Sequence, residues 1–178
     1  MRRVNVIGRS GSGKTSVARA LATKLGAPVV ELDELHWDRY PNWQVPPLDE
    51  FRARVDEATH AERWIVDGSY GKVRDIVWSR ADTVVWLDIP LAQCLARVLW
   101  RTFTRSRSRE RLWGVQEESL RNALVGRDAL VPFILRTEPR RGRVYREWLA
   151  RPEYAHLRLV RLRTQREIDD WLARIYRT

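Results

Sequence analysis

The chain has 178 residues and a formal net charge of +10 at pH 7, nearly all of its positive charge being arginine. That length suits one domain, residues 1–178, with a sizeable core. Apolar runs such as "TVVWL" at 83–87 are far too short to cross a bilayer, so no membrane partner is expected.

A strand-like "VNVI" directly follows "MRR", which predicts no signal peptide. The single cysteine, Cys94, excludes an intrachain disulfide and fits a reducing cytoplasm. "RVNVI" (3–7) reads as a first strand, and "GKTSVARALATKL" (13–25) as a helix with Val17, Leu21 and Leu25 on one face, ended by Gly26. "APVVEL" (27–32) is a second strand, ending at Asp33. A helix over 47–62 places Phe51, Val55 and Ala58 on one stripe. Strands follow at 63–68, 83–89 and 157–162, and a closing helix at 165–175 turns Ile168, Trp171, Leu172 and Ile175 inward. The stretch 90–150 is arginine-rich and largely helical. Strands alternating with helices predict an α/β fold, a five-stranded parallel sheet covered on both faces, with ligands at the carboxyl ends of its strands.

The strongest chemical signal is "GRSGSGKT" (8–15), which fits G-x-x-x-x-G-K-[ST] directly between a strand and a helix. Gly8, Gly11 and Gly13 let the backbone wrap closely and aim its N–H groups inward, where the helix N-terminus adds partial positive charge. Ser10, Ser12 and Ser16 complete the expected ATP-binding segment. Lys14 is placed to reach the β- and γ-phosphates of ATP, and the Thr15 hydroxyl to ligate Mg²⁺. Motors, switches and kinases all use such a loop. The chain is short and carries no N-K-x-D base-specificity motif, which favours a small kinase.

Asp67 ends the third strand in "WIVDGSY", where a carboxylate can hold the water shell of Mg²⁺, and Gly68 leaves the backbone approachable. Asp88 ends the fourth strand and reads mainly as a cap or turn former. After Pro90, Arg97 and Arg101 stand four apart opposite Leu91, Leu95 and Val98, and Arg105 extends the row. Guanidinium groups in a row suit phosphoryl-transfer charge, and they equally suit a solvated helix face. The cluster "RSRSRERL" (105–112) repels itself without an anion, which ATP under a closing lid or a nucleic acid would supply.

"LDELHWDRYPNW" (32–43) falls after the second strand. Asp33 can accept a hydrogen bond from a hydroxyl or assist proton transfer, with Glu31 two residues back on the same side of the strand. His36, Trp37, Tyr40 and Trp43 offer a stacking wall for a base or sugar face; the alternative is a hydrophobic flap packed on the core.

Together "GRSGSGKT", "LDELHW", "PNW", "WIVDGSY" and "ADTVVWLDIPLAQCLARVLWR" resemble the small P-loop nucleotide kinases related to adenylate kinase. They are most similar to the bacterial DNA topology modulation (FlaR-type) proteins. The resemblance covers roughly the first 100 residues and "LVRLRTQREIDDWL" near the end. It implies the strand order 2-3-1-4-5, an acceptor-side segment over 33–62 and an arginine-bearing lid over about 101–125. It also implies Lys14 and Thr15 as loop residues, Asp67 as the Mg²⁺-side carboxylate, and Arg97 and Arg101 as nucleotide-side arginines. Adenylate kinases follow Asp-Gly with Phe-Pro-Arg. Here "DGSYGKVR" puts Ser69 where FlaR-type proteins usually carry Asn, and displaces the first arginine to Arg74. The implied activity is γ-phosphoryl transfer from ATP-Mg to a small acceptor, with Lys14, Asp33, Arg97 and Arg101 catalytic. Asp33, His36, Trp37, Trp43, Gly68, Ser69 and Arg74 would bind the acceptor. A nucleic-acid-associated ATPase, using the basic runs at 101–111 and 136–146, is the second and less favoured reading.

Overall fold

The computed structural model of the chain describes residues 1–40, 44–108, 111–112, 116–117 and 130–175, the side chains at 105–131 and 133 excepted. In chain order the elements are β1 (Arg3–Gly8), α1 (Lys14–Leu25), β2 (Val29–Glu31), α2 (Leu32–Trp37), α3 (Leu48–Ala58), β3 (Trp64–Asp67) and α4 (Arg74–Arg80). Then come β4 (Thr83–Leu87), α5 (Leu91–Ser108), the two-residue strands β5 (Arg111–Leu112) and β6 (Gln116–Glu117), α6 (Leu130–Leu149), β7 (Arg158–Leu162) and α7 (Gln165–Ala173). Among the described residues no helix is long and apolar enough to cross a membrane.

Five strands form one parallel sheet in the order β2-β3-β1-β4-β7, the arrangement expected from the resemblance. β5 and β6 pair separately and antiparallel. The side-chain period of two divides the strands between two cores. Val4, Val6, Ile65, Val85 and Leu87 meet Val17, Leu21 and Leu25 of α1, Cys94 of α5 and Ile168 of α7. Ile7, Trp64, Val66, Val84 and Trp86 meet Leu32, Phe51, Val55, Val77 and Trp78 of α2–α4 and Tyr145 of α6. Both faces are therefore closed, which is what an all-parallel sheet requires.

Register sets the site. Val6 lies opposite Asp67, and Gly8 opposite Leu87, so the loop after β1 opens between the carboxyl ends of β3 and β4. Asn5 fixes this alignment from inside. Its amide donates to the carbonyls of Val66 (3.1 Å) and Gly68 (2.9 Å), and its oxygen accepts from the buried Trp78 indole at 2.8 Å.

The structure corrects the second strand. β2 stops at Glu31, and Leu32 opens a helix, so Asp33 is not at a strand end. Two carboxylates in the first turn, Asp33 and Glu34, favour a helix start, and Leu32 and His36 bury one turn apart. Glu31 and Asp33 accordingly do not share a strand face; Glu31 instead takes Arg19 at 2.8 Å. The buried stripe of α5 is Cys94, Val98 and Thr102, with Leu91 and Leu95 only half-buried.

Asn5→Ala removes the acceptor of a buried indole and the donor of two buried carbonyls. It should destabilise the fold by about 1–3 kcal/mol in urea unfolding, with the same denaturant dependence as the wild type.

Candidate active site

The loop between β1 and α1 is built almost entirely by backbone. Gly13 caps α1 at φ 96°, a left-handed conformation that non-glycine residues rarely adopt. Gly11, at φ 79°, packs so close to α5 that a Cβ there would lie 2.3 Å from the Cys94 carbonyl oxygen. Lys14 Nζ donates to the Arg9 carbonyl at 3.0 Å, folded back over its own loop. The Ser12 hydroxyl is buried without a partner, while Ser10 is half-buried and Thr15 and Ser16 face outward.

Thr15 Oγ1 donates to Asp67 Oδ2 at 2.6 Å. The other carboxylate oxygen, Oδ1, is buried with no hydrogen-bond partner. Burial pushes the Asp67 carboxyl above its usual range, against the pull of Lys14 and the Thr15 bond; Asp33 and Glu31 push it further up. A hydroxyl and an orphaned carboxylate oxygen side by side, beside the loop, form a hard oxygen donor set. They fit Mg²⁺, which takes few protein ligands and completes its shell with water and phosphate.

On the other side of Asp67, α2 presents Asp33, exposed, whose Oδ1 accepts from the Tyr70 hydroxyl at 2.6 Å. Burial and the Asp33 charge drive the Tyr70 phenol well above its usual range, so it stays a donor. His36 is 6% exposed and belongs to a packed ring cluster: stacked on Tyr70 at 5.1 Å and edge-on to Phe51 at 4.7 Å and Trp37 at 4.3 Å. Trp37 also hydrogen-bonds the Tyr70 side chain. Tyr40 gives its hydroxyl to Glu50. His36 is therefore part of the flap's interior rather than of an open stacking wall, because α2 turns its ring inward beside Leu32. Trp43 lies outside the described residues.

After β3, Gly68 takes φ 117°, and Ser69 Oγ meets the Tyr145 hydroxyl at 2.5 Å. Arg74 lies over the Trp148 ring at 4.1 Å, with Nε directed to the Tyr154 hydroxyl at 3.4 Å. Gly68, Ser69 and Arg74 line a cavity of about 10 Å³, room for one water and no acceptor. Arg74 thus spends its guanidinium on an aromatic cage, since the extra residues after Gly68 carry it past the strand end into α4.

Of the α5 pair, Arg97 reaches the loop, donating to the Ser12 carbonyl (3.4 Å) and to Gln165 Oε1 (3.2 Å). Arg101 is exposed one turn further on. Arg105 and most of the expected lid lie outside the described side chains. Asp88 joins two arginines, Arg9 at 3.0 Å and Arg161 at 2.5 Å. Burial raises its carboxyl, but those two guanidinium groups outweigh it and hold the group ionised below the usual range.

Several residues of the site escape a reading of the sequence. Tyr70 stands inside "WIVDGSY" but carries its meaning only through Asp33, thirty-seven positions away. α6 contributes Glu138, Arg141 and Tyr145. Arg141 Nε lies 3.1 Å from the fully buried Glu138 carboxylate. Burial opposes the Arg141 charge, and Tyr145 and Glu138 more than restore it, holding it above its usual range, with Tyr70 adding to the effect. The spacing Glu138, Arg141, Tyr145, Trp148 along one helical face was the available signal.

Residues 4–88 match the profile of the AAA family, ATPases associated with various cellular activities. No curated protein matches the chain. Among solved structures, shikimate kinase from Acinetobacter baumannii in complex with shikimate is similar at a TM-score of 0.57 and 20% identity, covering 98% of this chain and 90% of that one. A gluconokinase from Sinorhizobium meliloti 1021 gives 0.53 at 22% identity over 97% and 92%. Deoxyadenosine kinase from M. mycoides, with dCMP and dCDP bound, gives 0.52 at 10% over 96% and 94%. The fold is thus of the P-loop kinase type. At such identities the likeness reaches the architecture and stops short of the acceptor.

Two outcomes follow from this geometry. Burial lowers the pKa of His36 from 6.5, with Lys72 adding and Asp33 opposing. The folded state therefore holds His36 neutral where the unfolded chain protonates it. Stability should fall as pH drops below about 6.5, and His36→Leu should flatten that fall in denaturant titrations between pH 7 and 5. Arg97→Lys keeps the charge but loses the fork, and should cut ATP turnover about tenfold or more with a smaller change in ATP affinity.

Proposed function

We propose that the chain is an ATP-dependent phosphotransferase that moves the γ-phosphoryl group of ATP to a small acceptor carrying a hydroxyl and an anionic group. The observation that carries this is Asp67: a buried, half-partnered carboxylate that touches the loop through Thr15 and feels the charge of Asp33 on the acceptor side. One polar centre so connects a phosphate-binding loop to a second cleft, which is the arrangement that transfer between two ligands needs.

In this reading the loop N–H groups, Lys14 and Arg97 cradle the ATP phosphates and meet the charge that spreads over the transferring group. Arg101 joins them when the nucleotide is bound. Thr15 and Asp67 would hold Mg²⁺, which would supply neutralisation of phosphate charge. Asp33, oriented by Tyr70, accepts the hydrogen bond of the acceptor hydroxyl and takes up its proton. Arg141 is already charged, half-buried and flanked by Tyr145, so it answers an acceptor carboxylate or phosphate at little reorganisation cost. Trp37, half-buried at the end of α2, borders the acceptor. The closer kinship to FlaR-type proteins and adenylate kinases, the single-domain organisation with an acceptor-side segment over 33–62 and a lid over about 101–125, and a cytoplasmic setting belong to the same reading.

ATP consumption measured against a panel of nucleotides, nucleosides, sugars and hydroxy acids tests it. A true acceptor raises consumption and gains phosphate. With that acceptor, Lys14→Ala should lose about a hundredfold or more in single-turnover rate with unchanged circular dichroism. Asp33→Asn should keep ATP affinity and lose acceptor-dependent turnover, while Arg141→Ala should raise the acceptor KM. Turnover unaltered in Lys14→Ala, or no acceptor anywhere in the panel, would remove the proposal.

A further inference from the structure

A second polar cleft lies on the far side of the loop from Asp33, between α6 and the β4–β7 edge of the sheet. It has a volume of about 200 Å³ and is lined by Arg9, Trp86, Asp88, Arg143, Arg146 and Arg161, with Gly142 at its wall. Four guanidinium groups face one carboxylate, a net of three positive charges. Asp88 is already shared by Arg9 and Arg161. Arg143 and Arg146 are exposed and have no acidic partner among the described residues.

We propose that this cleft is an anion site, separate from the phosphate loop, that takes a compact multivalent oxyanion of the diphosphate class. Three features support it. The cluster has no reason to converge for stability: Asp88 neutralises one charge, and the remaining like charges repel at close range unless an anion joins them. The walls are pre-organised. Arg161 lies over the Trp86 ring at 4.4 Å, and Arg9 is braced by the carbonyls of Ile89 (3.1 Å) and Glu138 (3.3 Å). Guanidinium groups held in this way fix the positive wall of the cleft before an oxyanion arrives. Finally, the helix is let in close by its glycine. A Cβ at 142 would stand 3.3 Å from the Arg9 guanidinium and 3.7 Å from Trp86, so a side chain there would fill the cleft.

The size chooses among anions. At about 200 Å³ the cleft is smaller than the pockets that enclose drug-sized ligands. A nucleic-acid backbone needs an extended groove with stacking platforms, whereas two linked phosphoryl groups fit a small cleft where Arg143 and Arg146 stand beside the Asp88-held Arg9 and Arg161. Arg9 is the second residue of the phosphate loop, and its carbonyl holds Lys14. An anion in the cleft therefore touches the same residue that positions the loop lysine.

Calorimetric titration of the whole chain with inorganic pyrophosphate tests the site, with the loop filled by a non-hydrolysable ATP analogue and, in parallel, in Lys14→Ala. One pyrophosphate per chain should still bind in both. Arg143→Ala with Arg146→Ala should weaken it about tenfold or more while thermal unfolding and affinity for the ATP analogue stay unchanged. Lysine at both positions should restore binding only in part. A diphosphate ester that displaces pyrophosphate at lower concentration identifies an esterified ligand, and one that displaces it no better identifies free diphosphate; both keep the oxyanion in the cleft. Silence once the loop is filled or Lys14 is lost, or binding that survives the double alanine variant, overturns the site. So does DNA binding that is lost in that variant while pyrophosphate stays silent. Because the titration needs no acceptor and no turnover, its failure leaves the phosphotransferase reading untouched.

Discussion

The hydrogen bond from Thr15 to Asp67 ties the first turn of α1 to the end of β3, and the site takes its dimensions from it. Thr15 can reach Asp67 only because β1 and β3 pair with Val6 opposite Asp67. That register is secured by Asn5, whose amide spans the carbonyls of Val66 and Gly68. The bond satisfies one carboxylate oxygen and leaves the other buried and bare. Burial alone would favour a neutral Asp67, and Lys14 pulls the other way. The protein therefore keeps a centre whose charge is poorly solvated, and a cation beside it relieves that penalty. Stored electrostatic mismatch of this kind favours a cation beside Asp67, the role proposed above for Mg²⁺.

The two sides of this centre are made of different materials. On the donor side the ligands are backbone groups, fixed by the left-handed turn at Gly13 and by the contact of Gly11 with the Cys94 carbonyl. That contact also locks α5 against the loop, so that Arg97, less than one turn beyond Cys94, reaches the Ser12 carbonyl. On the side proposed for the acceptor the groups are side chains from three separate elements: Asp33 from α2, Tyr70 from the loop after β3, and Arg141 from α6. Backbone geometry admits little variation, whereas side chains on independent helices change freely. A fold of this type can thus keep its donor chemistry while exchanging acceptors.

The same division explains what the sequence disclosed. Glycine spacing, a lysine and a hydroxyl residue between a strand and a helix are local, and they marked the loop that the structure places between β1 and α1. Short apolar runs marked the strands, of which β1, β3 and β4 are buried nearly throughout, and the four-residue spacing of Val17, Leu21 and Leu25 marked α1, all three of them buried. The strand order came from resemblance, because pairing across a parallel sheet leaves no local trace. The error at Leu32–Asp33 arose where apolar "VVEL" runs into a helix without a glycine or proline to mark the change; the acidic first turn was the signal that mattered. Tyr70, Arg141 and the Asp88 bridge depend on contacts between residues far apart in the chain, so no periodicity could disclose them. Arg74 went the other way: its place after Asp-Gly suggested a phosphate grip, but Trp148 and Tyr154, more than seventy residues later, supply the cage that holds it.

Net charge proves a poor guide for a related reason. A sum of +10 invites a picture of one continuous basic face. The structure distributes much of it into pairs instead: Arg52 with Asp75, Arg54 with Asp38, Arg80 with Asp56. Other arginines lie over rings, Arg74 over Trp148 and Arg161 over Trp86, where the planar group serves as packing as much as charge. At the cleft beside Asp88, by contrast, four arginines gather at one point. Electrostatic attraction of a long polyanion grows with the number of charges it meets along a line. Charges gathered at a concave point act on a small anion instead. A protein can therefore be strongly basic in total and still owe its specific recognition to a few guanidinium groups that its fold holds in place.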